Sequence, residues 1–543
     1  MEKRLFLFLI VVGVIYTTIT AKQRTKQEIK QCARLALANT VTRRAVSAND
    51  IQLDVIQSNK QLTIVGGKVG FAVIANDDQF PAVLGYSEKQ YVEGQVAPGF
   101  LWWVDAISRQ IAYNQEHNLP MYSATPSVGV HKPYVEALLV TEWGQNTPYN
   151  NQTPTYTNGK NEVHYVTGCV ATAMSQIMYY HKWPERGKGN VSYYFTPEGS
   201  DAKQKLSSNL AKEPYDWNNM LPIYKGVNYS EEQAKAVSTL MMHCGYAVNM
   251  QYTKTGSGAF TADAADALRK RFYYNENMRL YWRDYFPDEE WMQNIFTELS
   301  EGNPVLYGAQ RKDGGHEFVL DGYDADGKVH VNWGWDGGQN GFFDIASLNG
   351  YTTGQEMVLV RKDDAVIPYQ SYWGMNGNIS ITLVGTTLKS SFLAYNLDYN
   401  AFSGKIAFLA MNLKNSAVIE LETSSYDNVE PLKGANFSFT GNTTALSDGN
   451  YRLYAGTLSS LEETWQPIRC NESYNNSYLL TITEGKASLK KEENANWTDI
   501  QGLRFENNSS IRYFDLQGRE VSPSTKGLLI RKHGNEVKKV IVR

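Results

Sequence analysis

Cys169 is the residue whose local sequence best suits a nucleophile. Apolar residues follow it at the i, i+3, i+4, i+7, i+8 spacing of a helix with one buried face, at Val170, Ala173, Met174, Ile177 and Met178. A helix that begins at Thr167 or Gly168 places Cys169 in its first turn, where unpaired N–H groups and the helix dipole stabilise a thiolate. This segment alone favours a reactive cysteine and a buried structural cysteine about equally.

His316 is the candidate partner for this thiol. Gly314 and Gly315 lead into a predicted strand in which His316, Phe318 and Leu320 share one face, and the glycines let another backbone approach the imidazole. A Cys–His contact forms the ion pair that makes the nucleophile and supplies a proton to a leaving amine. His316 follows Cys169 by 147 residues, the long Cys-before-His spacing of papain-like proteases. A strand histidine without such a partner is usually structural.

Four further residues are candidates for the same catalytic site. Asn332 follows a turn at residues 324–327, and a hairpin would bring its amide to the far ring nitrogen of His316, fixing the tautomer. The neighbouring Trp333 and Trp335 would shield the pair from water, although ordinary core packing explains Trp335 equally well. Gln145 offers a side-chain N–H which, with the Cys169 backbone N–H, would form a two-donor oxyanion hole. A glutamine in a turn is usually exposed, so its assignment depends on the other residues.

Other chemistries lack a motif. His181 and the His243-Cys244 pair have no metal-ligand spacing, and no His-Glu-x-x-His run, Gly-x-Ser-x-Gly elbow or phosphate loop occurs. Gly256-Ser257-Gly258 is too short to indicate a nucleotide site. We therefore expect no metal and no cofactor.

The composition is that of an ordinary globular protein. The 543 residues include 52 Lys+Arg, 56 Asp+Glu and 42% hydrophobic residues, a near-neutral balance that argues against a nucleic-acid binder. The length predicts three or four domains, with neither fibrous nor disordered character.

The first 21 residues have the layout of a secretory signal peptide. Lys3 and Arg4 precede an apolar run from Leu5 to Tyr16 that is shorter than the roughly 20 residues needed to span a bilayer, although an N-terminal anchor is the alternative. No later segment is apolar enough to span a membrane. Only four cysteines occur in the chain, so a disulfide framework is not expected, and any chemically important cysteine acts as a thiol.

The pattern of elements predicts an α+β protein with four parts after the leader. Residues 22–125 mix helices with strands, and residues 126–363 begin helical and then turn to strands and glycine-rich turns. Residues 364–495 have the short alternating strands of a β-sandwich, Ig-like in character. The tail, 496–543, is short and polar and ends in a β-like run.

Together these motifs resemble the streptopain family of secreted bacterial cysteine proteases, which includes interpain-type enzymes of the Bacteroides–Prevotella group. The matching stretches are 167–181, 314–322, 330–335 and 341–343, with Gln145, 148–150, 248–250 and 256–259. Within 22–125, the stretches 70–74 and 81–86 are similar to the family's inhibitory propeptide. The tail is similar to sorting or anchoring segments of that bacterial group, and equally to a terminal β-hairpin.

The resemblance implies a papain-like domain at 126–363 and an exported zymogen inhibited by its own propeptide, residues 22–125. It implies peptide-bond hydrolysis by Cys169 and His316, often with an apolar side chain before the cleaved residue. Gln145 and Asn332 match the oxyanion donor and the histidine orienter, and Trp333 is a second residue that contacts the histidine. Ser257 and Gly315 match substrate-contacting positions.

One departure concerns Glu317, where the family often has alanine. Strand alternation predicts that its side chain points away from the Cys–His pair, altering the local electrostatics without abolishing activity.

Two other functions fit part of the sequence. One is a Cys–His amidase or acyltransferase acting on cell-wall substrates, against which the propeptide and the lack of a wall-binding repeat argue. The other is a catalytically inactive adhesin or inhibitor whose function lies in 364–495. The expected partners are protein or peptide substrates and the chain's own propeptide, without nucleic acid and without a membrane span in the mature form.

Overall fold

The computed structural model describes residues 22–41, 47–311, 314–348, 353–362, 369–471 and 473–492, and the backbone of four strands between Arg512 and Val542. The predicted leader, the boundary near 363 and most of the predicted tail lie outside the described residues. The described residues fall into two compact units. One comprises residues up to 91 and 111–121, and the other comprises residues 92–110 and those from 122 onward. The expected propeptide 22–125 is thus divided between the units, and the domain limits drawn from the sequence stay a prediction.

The first unit contains one antiparallel sheet and helix α1 (Lys26–Val41). Its strands are paired in chain order, β1 (Asp54–Ser58), β2 (Leu62–Gly67), β3 (Gly70–Ala75) and β4 (Val83–Ser87). Ile29, Ala33 and Leu37 recur every four residues along α1 and are buried, as expected for a helix packed on a sheet. A short 3-10 turn, Ala48–Asp50, precedes the first strand.

Helix α2 (Pro98–His117) contributes to both units, since its residues up to Gln110 belong to the second unit and the rest to the first.

Four helices of the second unit follow, α3 (Cys169–His181), α4 (Glu231–Ala247), α5 (Thr261–Arg271) and α6 (Asp288–Glu301). Two hairpins lie between residues 155 and 209, formed by β5 (Thr155–Asn158) with β6 (Asn161–His164) and by β7 (Asn190–Phe195) with β8 (Gln204–Asn209). The central sheet of this unit is antiparallel, with strand order β13-β12-β11-β10-β14-β9. Its members are β9 (Arg279–Trp282), β10 (Val305–Arg311), β11 (Gly314–Tyr323), β12 (Val329–Asn332), β13 (Gly341–Phe343) and β14 (Gly354–Leu359). A 3-10 turn, Arg283–Tyr285, follows β9.

Helix α3 lies over one face of this sheet. Its buried Val170, Met174 and Ile177 share a hydrophobic cluster with Val319 of β11 and Leu306 of β10. This packing holds the N-terminus of α3 beside the beginning of β11, which is the arrangement that a Cys169–His316 site needs.

The region from 373 to 491 consists of two sheets. Their strands pair antiparallel, except for one parallel pairing within the first sheet. One sheet has the order β16-β17-β15-β23 with β20 paired to β17, and the other has the order β19-β18-β21-β24-β25 with β22 paired to β21. The strands are β15 (Trp373–Met375), β16 (Ser380–Val384), β17 (Thr387–Asn396), β18 (Phe402–Asn412), β19 (Val418–Val429), β20 (Gly434–Asn442), β21 (Gly449–Ser459), β22 (Gln466–Pro467), β23 (Arg469–Cys470), β24 (Ser477–Thr483) and β25 (Lys486–Lys491), with a 3-10 turn at Thr443–Ala445. Trp373 and Phe437 of the first sheet share a core with Phe408 and Leu453 of the second. Because both sheets bury one face in that core, the region is a β-sandwich.

Arg469 of the sandwich binds Glu290 of α6. Its Nη1 and Nη2 donate to the two carboxylate oxygens over 2.9 and 2.7 Å, and the guanidinium lies 4.2 Å from the ring centroid of Phe286. Both charged side chains are about nine-tenths buried. The sandwich is therefore joined to the helical part of the unit by a bidentate ion pair.

The last four strands are β26 (Arg512–Phe514), β27 (Glu520–Val521), β28 (Gly527–His533) and β29 (Glu536–Val542), in the order β27-β26-β28-β29. The fold is mixed α+β with a β-rich C-terminal region, which confirms the predicted class. Among the described helices, none combines the length and hydropathy needed to cross a bilayer.

Candidate active site

Cys169 is the first residue of helix α3, as predicted. Gly168 precedes the helix with φ 89°, and a Cβ on it would lie 2.7 Å from the Ser257 carbonyl oxygen. Both observations require glycine at this position. The first N–H groups of a helix have no partner within it, so the Cys169 thiol lies at a positive helix end.

His316 is the third residue of strand β11 and pairs with Ala309 of β10. Its Nε2 lies 3.2 Å from the Trp333 carbonyl oxygen. Its ring lies on the same side of the strand as Phe318, with 6.4 Å between ring centroids. The hydrogen bond to the histidine is therefore made by the backbone carbonyl of Trp333 rather than by a side chain.

One cleft of about 370 Å³ brings together five of the seven site residues predicted from the sequence. They are Cys169, His316, Gln145, Ser257 and Gly315. The cleft is also lined by Trp335, whose assignment to site or core the sequence left open. A thiol, an imidazole and a carboxamide thus line a single cavity.

Asn332 does not contact His316, so the predicted contact is wrong for this structure. The register of the sheet places Asn332 opposite Val319, three residues beyond His316. Its Nδ2 donates to the Thr141 carbonyl over 2.8 Å, and its Oδ1 accepts from Gln176 over 3.2 Å and from the Gly334 N–H over 3.1 Å. These bonds fix the backbone that follows Asn332, including Trp333.

Trp333 is fully buried behind the cleft. Its N–H donates to Asn340 Oδ1 over 3.0 Å, and its indole Nε1 donates to the Gln339 carbonyl over 2.9 Å. The ring packs 5.0 Å from that of Phe318. Trp333 thus holds its carbonyl rigidly toward His316.

Gln145, Ser257 and Gly315 differ in how they face the cleft. Gln145 is buried, and its backbone carbonyl accepts from the Thr167 N–H over 3.1 Å, which ties it to the start of α3. The Ser257 hydroxyl donates to the Val166 carbonyl over 2.7 Å, so it supports the local backbone. Gly315 is exposed on the edge of the cleft, where a substrate backbone can approach it.

The start of helix α2 lies against the site. A Cβ on Gly99 would lie 2.3 Å from His316 Cδ2 and 2.9 Å from Trp333 Cε3, and Pro98 lines the cleft. The Ala97 N–H donates to Gln339 Oε1 over 2.7 Å, and Trp103 Nε1 donates to the Asp344 carbonyl over 3.0 Å. Residues 97–103 are therefore packed directly on the imidazole and the residues around it.

Burial suppresses the ionised forms of both candidate catalytic groups. It lowers the pKa of His316 to about 4, against the opposing influence of the Trp333 carbonyl. It raises the pKa of the Cys169 thiol, against the opposing influence of the backbone N–H groups of Glu317, Val170 and Cys169. Both pKa shifts favour the neutral thiol and the neutral imidazole over the ion pair in this structure.

Glu317 contradicts the prediction from strand alternation. Its side chain lies on the same face of β11 as Val319, which is the face that α3 covers, so it points toward Cys169. The prediction failed because the helix carrying the cysteine covers the face of β11 opposite to Phe318. In the sequence, the only indication that position 317 differs in its role was the glutamate in place of the alanine that the resembled family often has.

Among the described residues, no group of three or more His, Cys, Asp or Glu side chains is arranged to hold a metal ion.

Comparison with known proteins identifies the family of this chain. The family model described as the Peptidase C10 family matches residues 143–343, which include Cys169, His316 and Gln145. Streptopain of Streptococcus pyogenes is 33% identical over 322 residues, covering 56% of this chain and 80% of the relative. The chain belongs to the Peptidase C10 family.

Two further relatives are similar over a large part of the chain. The thiol protease/hemagglutinin PrtT of Porphyromonas gingivalis is 32% identical over 387 residues, covering 66% of this chain but only 44% of that protein. The solved structure of a prointerpain A fragment from Prevotella intermedia is 38% identical with a TM-score of 0.52, covering 56% of this chain and 97% of that chain. As a Peptidase C10 member, the chain is an enzyme of the cysteine protease type.

Proposed function

We propose that the protein is a cysteine endopeptidase that cleaves peptide bonds with Cys169 as nucleophile and His316 as general acid and base. The observation that carries the proposal is the shared cleft, which places a thiol at a helix N-terminus with an imidazole and a carboxamide. These are the groups that acyl transfer through a thioester needs.

In the first half of the reaction, the Cys169 sulfur attacks the scissile carbonyl carbon. The negative charge that develops on the carbonyl oxygen is stabilised by the Gln145 side-chain N–H and the Cys169 backbone N–H. His316 carries the proton from the thiol and delivers it to the departing amine as the C–N bond breaks. The products are an amine and a Cys169 thioester.

In the second half, His316 takes a proton from water as the water oxygen attacks the thioester. The C–S bond breaks, the carboxylic acid leaves, and the thiol–imidazole pair is restored. The Trp333 carbonyl, which accepts from His316 Nε2, holds the ring orientation.

We further propose that the chain is an exported zymogen. Gly99 lies against the imidazole, and burial disfavours ionisation of both catalytic groups, which makes the thiol a poor nucleophile. Cleavage after the expected propeptide, near residue 125, would remove this contact and let both groups ionise. The prointerpain A relative is named as a proform, which supports the same arrangement here.

Titration with a thiol-directed covalent inhibitor tests the proposal. The processed protein is treated with the inhibitor, the labelled peptide is identified by mass spectrometry, and digestion of casein and of peptidoglycan is measured in parallel. We expect one equivalent of inhibitor to be bound to Cys169, and casein cleavage to be lost in parallel with labelling. Cleavage of peptidoglycan alone would favour the amidase, and absence of a fast-reacting cysteine would favour an inactive protein.

A further inference from the structure

Glu317 is a buried residue beside the cleft. It is 4% exposed, and it is one of the residues that line the same cavity as Cys169. Its Oε2 accepts from the Thr261 hydroxyl over 2.9 Å, whereas its Oε1 is buried and has no hydrogen-bond partner. A buried carboxylate oxygen without a partner is costly to fold, so it calls for an explanation.

The sheet leaves room for this carboxyl at Gly308. In the register of the sheet, Gly308 of β10 pairs with Glu317 on one side and with Glu356 on the other. A Cβ on Gly308 would lie 2.3 Å from Thr261 Oγ1 and 2.6 Å from Glu317 Oε2. The absent side chain at Gly308 therefore makes the space that the carboxyl and the hydroxyl occupy.

The surroundings supply no positive charge to Glu317. Among the described residues, neither Glu317 nor Glu356 forms an ion pair with a lysine or arginine. The titratable groups that act on Glu317 are Cys169 of α3 and Glu356 of β14, both of which add negative charge when ionised. Ionisation of Glu317 would therefore leave a buried negative charge that no lysine or arginine among the described residues offsets.

We propose that Glu317 is a specificity-determining residue, and that its Oε1 accepts from the ammonium or guanidinium of a lysine or arginine side chain in the substrate. The inference rests on the proposed peptidase function, because the cleft is then the place where substrate side chains lie beside Cys169.

The charge on Glu317 depends on pH and on the substrate. Burial, followed by the Cys169 charge, raises the pKa of Glu317 well above its ordinary value, and the Thr261 hydroxyl opposes this rise. The surroundings of Glu317 therefore favour its protonated form, and a bound cation favours loss of the proton.

Matched peptides test the inference on the processed full-length protein. Quenched peptides are identical except for lysine or norleucine at one of the three positions before the scissile bond, because these side chains differ mainly in the ammonium group. The variants are Glu317→Gln, Glu317→Ala and, as a matched control, Glu276→Gln, which removes an exposed carboxylate outside the cleft.

We expect the wild type and the Glu276→Gln variant to prefer lysine at one position by about tenfold or more in kcat/KM, the usual size of a hydrogen bond to a charged group. Glu317→Gln and Glu317→Ala should lose that preference, and labelling of Cys169 by the thiol-directed inhibitor shows that they fold. The inference would be overturned if the wild type preferred norleucine at every position, or if Glu317→Gln still preferred lysine. Either result would leave the proposed peptidase function standing. Failure to cleave any peptide, with Cys169 unlabelled by the inhibitor, would overturn the peptidase function as well.

Discussion

Gly99 lies against the imidazole of His316 so closely that a single added methyl group would come within 2.3 Å of ring atom Cδ2. Helix α2 thus contacts the candidate general base with backbone rather than with a side chain. Only glycine allows this approach, because the nearest atoms belong to the rings of His316 and Trp333.

The first prediction is that Gly99→Ala weakens latency. The methyl group must displace either the helix start or the imidazole, so the precursor should convert to the processed form several-fold faster than wild type. Gel analysis of precursor loss over time measures this. Leu101→Ala, at an exposed position of the same helix, serves as the control and should leave the rate unchanged. An unaltered rate for Gly99→Ala would contradict the role given to this contact.

The second prediction is that acid loosens residues 92–110. The pKa of His316 is about 4 in this structure against an ordinary value of 6.5, so a state in which the ring is solvated binds a proton more readily. The contribution of the buried neutral ring to stability is intact above pH 6.5 and is lost as the pH falls toward 4.

Hydrogen exchange of the Cys169→Ala precursor, corrected for the intrinsic pH dependence, measures this opening. Protection of residues 92–110 should fall between pH 6.5 and 4, whereas Cys169→Ala/His316→Gln should show a much smaller pH dependence. Constant protection of the single variant across this range would count against the prediction.

The third prediction concerns Gln145. Replacing it with alanine removes one oxyanion donor, so kcat should fall about 10²- to 10³-fold with little change in KM. Steady-state hydrolysis of a peptide substrate measures both constants. Thr147→Ala provides the control for disturbance of the loop that carries Gln145, because the Thr147 hydroxyl bonds the Asn150 side chain in the same turn. A large rise in KM with kcat retained would show that Gln145 only binds substrate.

The fourth prediction concerns the link between the β-sandwich and helix α6. Arg469→Leu leaves the Glu290 carboxylate buried without its partner, so it should destabilise the protein by about 3–5 kcal/mol. Chemical denaturation measures the free energy of unfolding. The double variant Arg469→Leu/Glu290→Leu should recover much of the loss, because no unpaired charge remains. Equal stability of the single variant and the wild type would argue that the ion pair is immaterial.

The sequence predicted the parts of the site that depend on local pattern. The helical spacing after Cys169 and the glycines before His316 are both local signals, and each places its residue at the beginning of an element. Their meeting in one cleft follows from the packing of α3 on the sheet through Val170 and Val319.

What depends on strand register and on which face is covered was not predictable from a single sequence. Asn332 pairs opposite Val319 rather than near His316, because the β11–β12 hairpin sets the register. Glu317 points toward Cys169 because α3 covers that face of β11. The spacing of residues along the chain predicts neither the strand register nor the face that the helix covers.

The central claim is that Cys169 and His316 act as one catalytic pair, and conversion of the precursor by its own activity tests it most directly. Wild type, Cys169→Ala and His316→Ala are expressed separately, and their products are followed by mass measurement and N-terminal sequencing. We expect wild type to convert, both variants to accumulate as full precursors, and added processed wild type to cleave the Cys169→Ala precursor at the wild-type site. Normal conversion of either variant on its own would contradict the account.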